Sequence, residues 1–322
     1  MISARLTRRR FLQAGAAVVG LAAVDVTPRM SRAVERSGAP AGAAGTFLLG
    51  GDIPVRRMGF GAMRITGPGI WGAPSDPDAA RKLLRRAIDL GVNLIDTADA
   101  YGPEVSEQLI SEALRPYPKD LVIATKGGLT RPTRESWDHD ARPEHLREAC
   151  ESSLRRLRLE RIELYQLHAP DPKVPLADSI GELGRLQREG KIRHVGVSNV
   201  SLDQLRLARS IVKVVSVQNR YNIGDRRSED VLGVCTAERI AFLPWAPLAG
   251  REREASRSGA VEALSAVARS RGITETQAAL AWLLAHSPVI LPIPGTSSMA
   301  HLEENVAATA MRFTPEELKR IG

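Results

Sequence analysis

Four side chains of types that handle protons stand at the ends of short apolar runs. Asp96 and Tyr101 belong to Asp96-Thr97-Ala98-Asp99-Ala100-Tyr101-Gly102, Lys126 to Ala124-Thr125-Lys126-Gly127, and His168 closes Tyr165-Gln166-Leu167-His168. A phenol, with a pKa of about 10, is a weak acid suited to protonating an alkoxide. A nearby ammonium favours the phenolate and lowers that pKa, so Tyr101 beside Lys126 is expected to act as acid in one direction and base in the other. A carboxylate such as Asp96 would keep Lys126 charged where a lone ammonium is partly desolvated. A neutral His168 would orient a carbonyl by donating a hydrogen bond. Together the four types suit a reaction that builds negative charge on oxygen, as hydride addition to a carbonyl does, with a proton donor within about 3 Å of that oxygen. Singly, each has an ordinary reading: Asp96 as a helix cap, Lys126 as a solvated loop lysine, His168 as a satisfied core imidazole, Tyr101 as packing where a helix begins. The chemical reading requires one scaffold to bring all four to one rim.

The surrounding pattern predicts such a scaffold. From residue 46 onward, short β-branched runs alternate with amphipathic segments, the signature of βα units around a parallel sheet. A hairpin comes first, with Thr46-Phe47-Leu48-Leu49 and Ile53-Pro54-Val55 flanking the turn Gly50-Gly51-Asp52. Strands are expected near 57–62, 92–96, 121–125, 162–168, 193–197, 214–218, 241–245 and 289–293. Helices are expected near 76–90, 104–115, 143–157, 176–189, 202–210, 228–239, 259–285 with a break at Gly272, and 299–309. Eight such units close into an α/β fold of the (β/α)8 TIM-barrel type, preceded by the hairpin. In that fold chemistry gathers where the C-terminal ends of the strands emerge. An open doubly wound sheet is the rival. It calls for a glycine fingerprint after its first strand, but in Gly59-Phe60-Gly61 the third glycine's place is held by Arg64.

With Asp96, Tyr101, Lys126 and His168 on successive strand ends, the sequence resembles the aldo-keto reductase family over about 46–312. The resemblance implies a hydride-transferring oxidoreductase with these four as its catalytic tetrad. It also implies a dinucleotide site. Ser198, Asn199 and Gln218 match the family's ligands for the nicotinamide carboxamide, and an amide side chain offers that group both donor and acceptor. Trp245, in Trp245-Ala246-Pro247-Leu248, takes the place of the aromatic on which the nicotinamide stacks, with Pro247 and Leu248 beside the cofactor. Gly295, Thr296, Ser297, Ser298 and His301 open a helix whose N-terminus suits phosphate, and Glu304 and Asn305 fall at the adenine. Gly295 and His301 stand where many members carry Lys and Arg. The loss of two cations weakens a strict 2′-phosphate preference, but Ser297, Ser298 and His301 remain as donors, so NADP(H) is favoured while NAD(H) stays open. The segments Thr66-Gly67-Pro68-Gly69-Ile70-Trp71-Gly72 and Pro294-Gly295-Thr296-Ser297-Ser298 resemble the subgroup containing bacterial pyridoxal reductases, which makes pyridoxal one candidate among small carbonyl substrates. Trp71 and Trp137 are candidates for the substrate wall, or else pack the loops.

The chain has 322 residues and a formal net charge of +8, but residues 1–45 hold seven Arg against Asp25 and Glu35. The remainder is near balance, so the charge argues for a basic leader and against a nucleic-acid-binding body. Thr7-Arg8-Arg9-Arg10-Phe11-Leu12-Gln13 followed by an uncharged stretch from Phe11 to Val24 resembles a twin-arginine (Tat) export signal. That run of 14 residues is shorter than the roughly 20 a spanning helix needs, so no stable membrane span is expected. The expected division is a leader over 1–45, cut near Ala41-Gly42-Ala43-Ala44, and a barrel over 46–322. The protein would be exported, with the Tat machinery as partner through residues 7–24, or cytoplasmic if the signal is not used. Two cysteines, Cys150 and Cys235, supply neither a disulfide framework nor a four-ligand zinc site, and no metal site is expected. The rival function is a dinucleotide-binding redox sensor or partner protein on the same scaffold.

Overall fold

Short strands buried on both faces form the centre of the molecule, as parallel strands covered by helices must be. The computed structural model describes residues 41–248 and 259–322. The Tat-like segment at 7–24 lies outside the described residues. Residues Ala41–Ala44 form a 3-10 turn, Ala41 is buried, and its N–H reaches Leu90 O at 2.9 Å. Residues 41–45 thus pack with the barrel, ahead of the expected start at 46.

The hairpin β1 (Thr46–Leu49) and β2 (Ile53–Arg56) pairs Leu49 with Ile53 and alternates buried and exposed residues. Its turn lies against the N-terminal ends of the barrel strands, where Asp52 meets His194 at 2.7 Å and Arg56 N bonds Asn93 Oδ1 at 2.8 Å. It therefore plugs the end opposite the predicted chemistry.

The units follow in order: β3 (Phe60–Gly61) and α1 (Pro77–Asp89), β4 (Leu94–Asp96) and α2 (Val105–Leu114), β5 (Val122–Gly127). A small hairpin of β6 (Leu129–Thr130) and β7 (Asp138–His139) then precedes α3 (Pro143–Leu157). Next come β8 (Ile162–Leu167) and α4 (Leu176–Arg188), β9 (Ile192–Ser198) and α5 (Leu202–Ile211), β10 (Val214–Gln218) and α6 (Glu229–Glu238), and β11 (Ala241–Phe242). Helices α7 (Gly259–Arg271), α8 (Glu275–His286), α9 (Met299–Ala307) and α10 (Pro315–Ile321) complete the described chain. The seven barrel strands pair in parallel in the order β11-β10-β9-β8-β5-β4-β3.

The eighth strand is an extended segment over 289–294 that carries few ladder bonds of its own. Phe242 N donates to Val289 O at 2.9 Å and Leu291 N to Phe242 O at 2.8 Å on one side. On the other, Gly59 N donates to Pro292 O at 2.9 Å and Gly61 N to Pro294 O at 3.4 Å. Pro292 and Pro294 have no N–H to return, so the segment closes the (β/α)8 barrel only by accepting from β3's side. The expected break at Gly272 is present, with φ of 62° and a Thr274 capping box starting α8. Helix α10 was not expected, although Thr314-Pro315-Glu316-Glu317 is a capping-box signal. Among the described residues no helix is long and apolar enough to cross a membrane. Cys150 and Cys235 are free and buried, and burial pushes both thiols up to about 12.

Candidate active site

Strands β4, β5 and β8 deliver their last residues to one rim. Lys126 Nζ donates to Asp96 Oδ2 at 2.7 Å and to Thr97 O at 2.8 Å, with both side chains almost fully buried. The other carboxylate oxygen, Asp96 Oδ1, accepts from Gln218 Nε2 at 2.7 Å and Gln166 Nε2 at 3.2 Å. A buried ion pair holds when its remaining lone pairs are also satisfied, and here they are. Tyr101 lies on the turn after β4, with Lys126 Nζ 5.2 Å from its ring centre. His168 meets the Tyr101 ring edge-on at 5.8 Å. All four residues are therefore brought together.

The turn that carries Tyr101 is laced from both sides. Gly102, at φ of 93°, takes a conformation that L side chains rarely adopt, and a Cβ there would stand 2.6 Å from Val105. Gly102 N donates to Ile70 O at 3.2 Å while its own carbonyl accepts from Gly72 N at 2.8 Å, tying the turn to the loop after β3. Behind it, buried Glu107 accepts from Thr125 Oγ1 and Arg156 Nε, each at 2.6 Å. Next to this cluster the Asp99 carboxyl has a sealed Oδ1 with no partner among the described residues.

Burial sets the direction of the shift at Tyr101, His168 and Asp99, and charge sets it at Lys126. Tyr101 is pushed above the usual phenol range by desolvation, against the pull of Lys126. This corrects the expectation that Lys126 lowers it: spacing revealed the ammonium but not the depth at which the phenol sits. Desolvation drives Lys126 down, but Asp96 and then Tyr101 reverse the balance, and its net shift is upward. His168 is held well below its ordinary value by burial, then by Lys126 and His139, so the ring is neutral. Its Nδ1 is sealed without a partner, which leaves Nε2 to serve a ligand. Burial, with Glu107 adding to it, pushes Asp99 up to about 8.

The expected cofactor residues line the rim beside the tetrad. Ser198 Oγ donates to Gln218 O at 2.7 Å, and Asn199 Nδ2 to His168 O at 2.9 Å, while Asn199 Oδ1 accepts from Trp245 Nε1 at 2.9 Å. With Gln218 Nε2 on Asp96, the Gln218 Oε1 acceptor is the amide atom left for a ligand. Arg220 covers one face of Trp245, its guanidinium carbon 5.4 Å from the ring centre. Pro247 is buried and Leu248 half-buried at the end of the described stretch. Thr296 is buried, Ser298 caps α9 by accepting from His301 N at 3.4 Å, and Ser297 and His301 are exposed. Glu304 is engaged by the Thr274 hydroxyl of α8, whereas Asn305 is buried with an orphaned Oδ1. An amine arriving there would satisfy that atom.

The segment after the eighth strand also runs against β3. A Cβ on Gly295 would lie 2.7 Å from Gly61 O, and one on Gly61 would lie 2.6 Å from Ile293 O, so neither position admits a side chain unchanged. The neighbour that lies next to Gly295 is Arg64, whose Cγ is 3.8 Å from where that Cβ would be. Arg64 and Ser297 both line a cavity of about 480 Å³ between the 63–76 loop and α1. Sequence reasoning treated Arg64 only as a failed glycine; it places an exposed cation where position 295 has none.

The Aldo/keto reductase family model matches residues 57–322. The chain belongs to the aldo/keto reductase family. It is 47% identical over 292 residues to an uncharacterized oxidoreductase of Schizosaccharomyces pombe, covering 91% of this chain and 94% of the relative. It is 42% identical over 283 residues to the pyridoxine 4-dehydrogenase of Escherichia coli, covering 86% and 96%. Among solved structures it is similar to an aldo/keto reductase from Klebsiella pneumoniae in complex with NADP and acetate, at a TM-score of 0.72 and 28% identity over 86% of this chain and 93% of that one. The protein is thus an NAD(P)-dependent oxidoreductase of this family.

Of the two substrate-wall candidates, Trp137 reaches the tetrad by its ring and Trp71 by its backbone. Trp137 packs edge-on against both Tyr101 and His168, each at 6.4 Å, although it is 36% exposed. Trp71 pairs by its backbone with Gly102. Between the two indoles lies Arg131, a residue the sequence did not single out. Its guanidinium carbon is 3.9 Å from the Trp137 ring centre and 5.5 Å from that of Trp71.

Proposed function

We propose that the protein is an NADPH-dependent reductase of small aldehydes and ketones, with Tyr101 as proton donor. The observation that carries this reading is the closed set of contacts among Asp96, Lys126, Tyr101 and His168 on one rim. NADPH, when bound, supplies hydride to the carbonyl carbon. Tyr101 gives its proton to the carbonyl oxygen, and the charged Lys126 stabilises the phenolate left behind. Asp96 holds Lys126 in place, and neutral His168 orients the carbonyl through Nε2. Ser198, Asn199 and Gln218 would hold the nicotinamide amide, and Trp245 would stack on its ring. Residues 295–305, with the orphaned Asn305 Oδ1, would hold the adenosine end, beside Pro247 and Leu248.

Pyridoxal is the substrate to test first, supported by the 42% identity to a pyridoxine 4-dehydrogenase and by the 66–72 loop. Export through the Tat route follows from the Arg8-Arg9-Arg10 run and the uncharged stretch after it, and on this reading the enzyme loads its cofactor before leaving the cytoplasm. The deciding experiment is NADPH oxidation by the purified chain against a panel of aldehydes that includes pyridoxal. Many turnovers per chain are expected; a single stoichiometric burst with every aldehyde would instead mark a redox sensor.

A further inference from the structure

Arg131 is 6% exposed, yet among the described residues it has no ion-pair partner. Arginine is almost never buried this far without a paired anion. At contact distance its charge is met by dipoles and rings. Nη1 donates to Ile70 O at 3.2 Å, and Nη2 donates to Gly69 O at 3.2 Å and to Arg134 O. The flat faces of Trp71 and Trp137 cover the guanidinium, and Nε is sealed with no partner. The acid whose charge acts on it, Glu135, is exposed and only partly offsets the burial that draws its pKa down. A positive charge desolvated in this way is stabilised by any anion that reaches it.

The position of this charge gives it a chemical meaning. Trp137 touches Arg131 on one side and packs against Tyr101 and His168 on the other. The cation therefore stands one indole away from Tyr101 and His168. The same guanidinium joins the 69–71 loop to the 131–137 loop.

We propose that Arg131 is a specificity-determining residue that selects aromatic carbonyl substrates carrying an anionic oxygen, a carboxylate or phenolate, on the ring. The anion is taken by the Nη1 hydrogen that Ile70 O does not use, while the carbonyl faces Tyr101. This inference rests on the carbonyl-reductase reading above and names the class of substrate for that site.

The test compares 4-carboxybenzaldehyde with methyl 4-formylbenzoate, which differ in charge but little in shape. The wild-type chain is expected to favour the carboxylate by about 10- to 100-fold in kcat/KM, the value of one charge-assisted contact. Arg131→Met is expected to erase that preference, cutting kcat/KM for the carboxylate about 10- to 100-fold more than for the ester, while Arg131→Lys restores part of it. Equal rates for the two aldehydes in the wild type, or an equal loss of both in Arg131→Met with Arg131→Lys no better, would overturn the proposal and leave Arg131 as a loop clasp. If neither aldehyde turns over, benzoate binding decides this proposal, and the reductase reading fails only if no aldehyde of the panel turns over either. Saturable quenching of tryptophan fluorescence by benzoate but not by benzamide supports the anion site, and its absence rejects it. Those readings need only the wild-type chain, so they hold even if Arg131→Met does not fold.

Discussion

Gln218 Nε2 donates to Asp96 Oδ1 at 2.7 Å, so a residue proposed to hold the nicotinamide amide also braces the carboxylate that fixes Lys126. On the proposed reading the two ends of the site are thereby joined: Gln218 Oε1 would serve the amide, and its nitrogen reaches through Asp96 to the ammonium beside Tyr101. Gln218→Leu would leave Asp96 Oδ1 with the longer bond from Gln166 at 3.2 Å. A buried carboxylate oxygen short of a donor costs about 1–3 kcal/mol. Urea unfolding should show that loss, and NADPH titration and steady-state rates should show affinity and kcat falling together. If affinity falls while stability and kcat hold, the brace has no catalytic consequence.

Tyr101→Phe removes the proton donor and little else, since the ring keeps its edge contacts with Trp137 and His168. The expected loss in kcat is about 10²- to 10⁴-fold, with NADPH affinity within about twofold. Because burial holds the Tyr101 pKa above its ordinary value, the donor stays protonated through neutral and mildly alkaline pH. Reduction rates should show no alkaline fall below about pH 9 from this group. An unchanged kcat in Tyr101→Phe would remove Tyr101 from the mechanism.

The barrel and the tetrad were readable because their signals are local. A strand that ends in Asp, Lys or His announces itself within a few residues, and the alternation of runs carries the βα repeat. Strand eight was readable as an apolar run, but Pro292 and Pro294 reduce it to a one-sided acceptor. The Gln218 brace was not readable, since it spans 122 positions and joins strands on different sides of the barrel. Arg131 was hidden for a related reason. It becomes a sandwiched cation only once β6 and β7 fold the 127–142 loop back and bring Trp137 over it. The rise in Tyr101's pKa needed burial, which spacing does not encode.

Asp99 gives the site a pH signature. Its carboxyl is pushed up to about 8 in the native state, against about 3.9 for an unfolded aspartate. Between those values the unfolded chain gives up the proton first, so this group makes stability fall as pH rises from about 4 to 8, with no further change above. Asp99→Asn removes the titrating group while keeping its shape. The stability of the variant relative to wild type should climb across that window by at most roughly 1.4 kcal/mol per pH unit. Urea midpoints at pH 5, 6, 7 and 8 measure it; a difference that does not change with pH means that Asp99 is ionised in the folded protein.

Arg64 is expected to decide the choice between NADPH and NADH. Gly295 cannot carry a cation, because a side chain there would collide with Gly61 O, and the aliphatic stem of Arg64 runs beside the vacated place. The guanidinium shares a cavity of about 480 Å³ with the Ser297 hydroxyl, next to the N-terminus of α9, so three features that favour phosphate converge from two different loops. A guanidinium bonding a phosphate is stronger than a neutral donor, though Arg64 is exposed and part of its effect is screened. Arg64→Ala should weaken NADPH about tenfold and leave NADH within about twofold, since only NADPH carries the 2′-phosphate. The NADPH difference should also shrink as salt is raised from 0.05 to 0.5 M. Equal weakening of both dinucleotides would place Arg64 at the shared pyrophosphate, and no weakening would return the phosphate to Ser297, Ser298 and His301 alone.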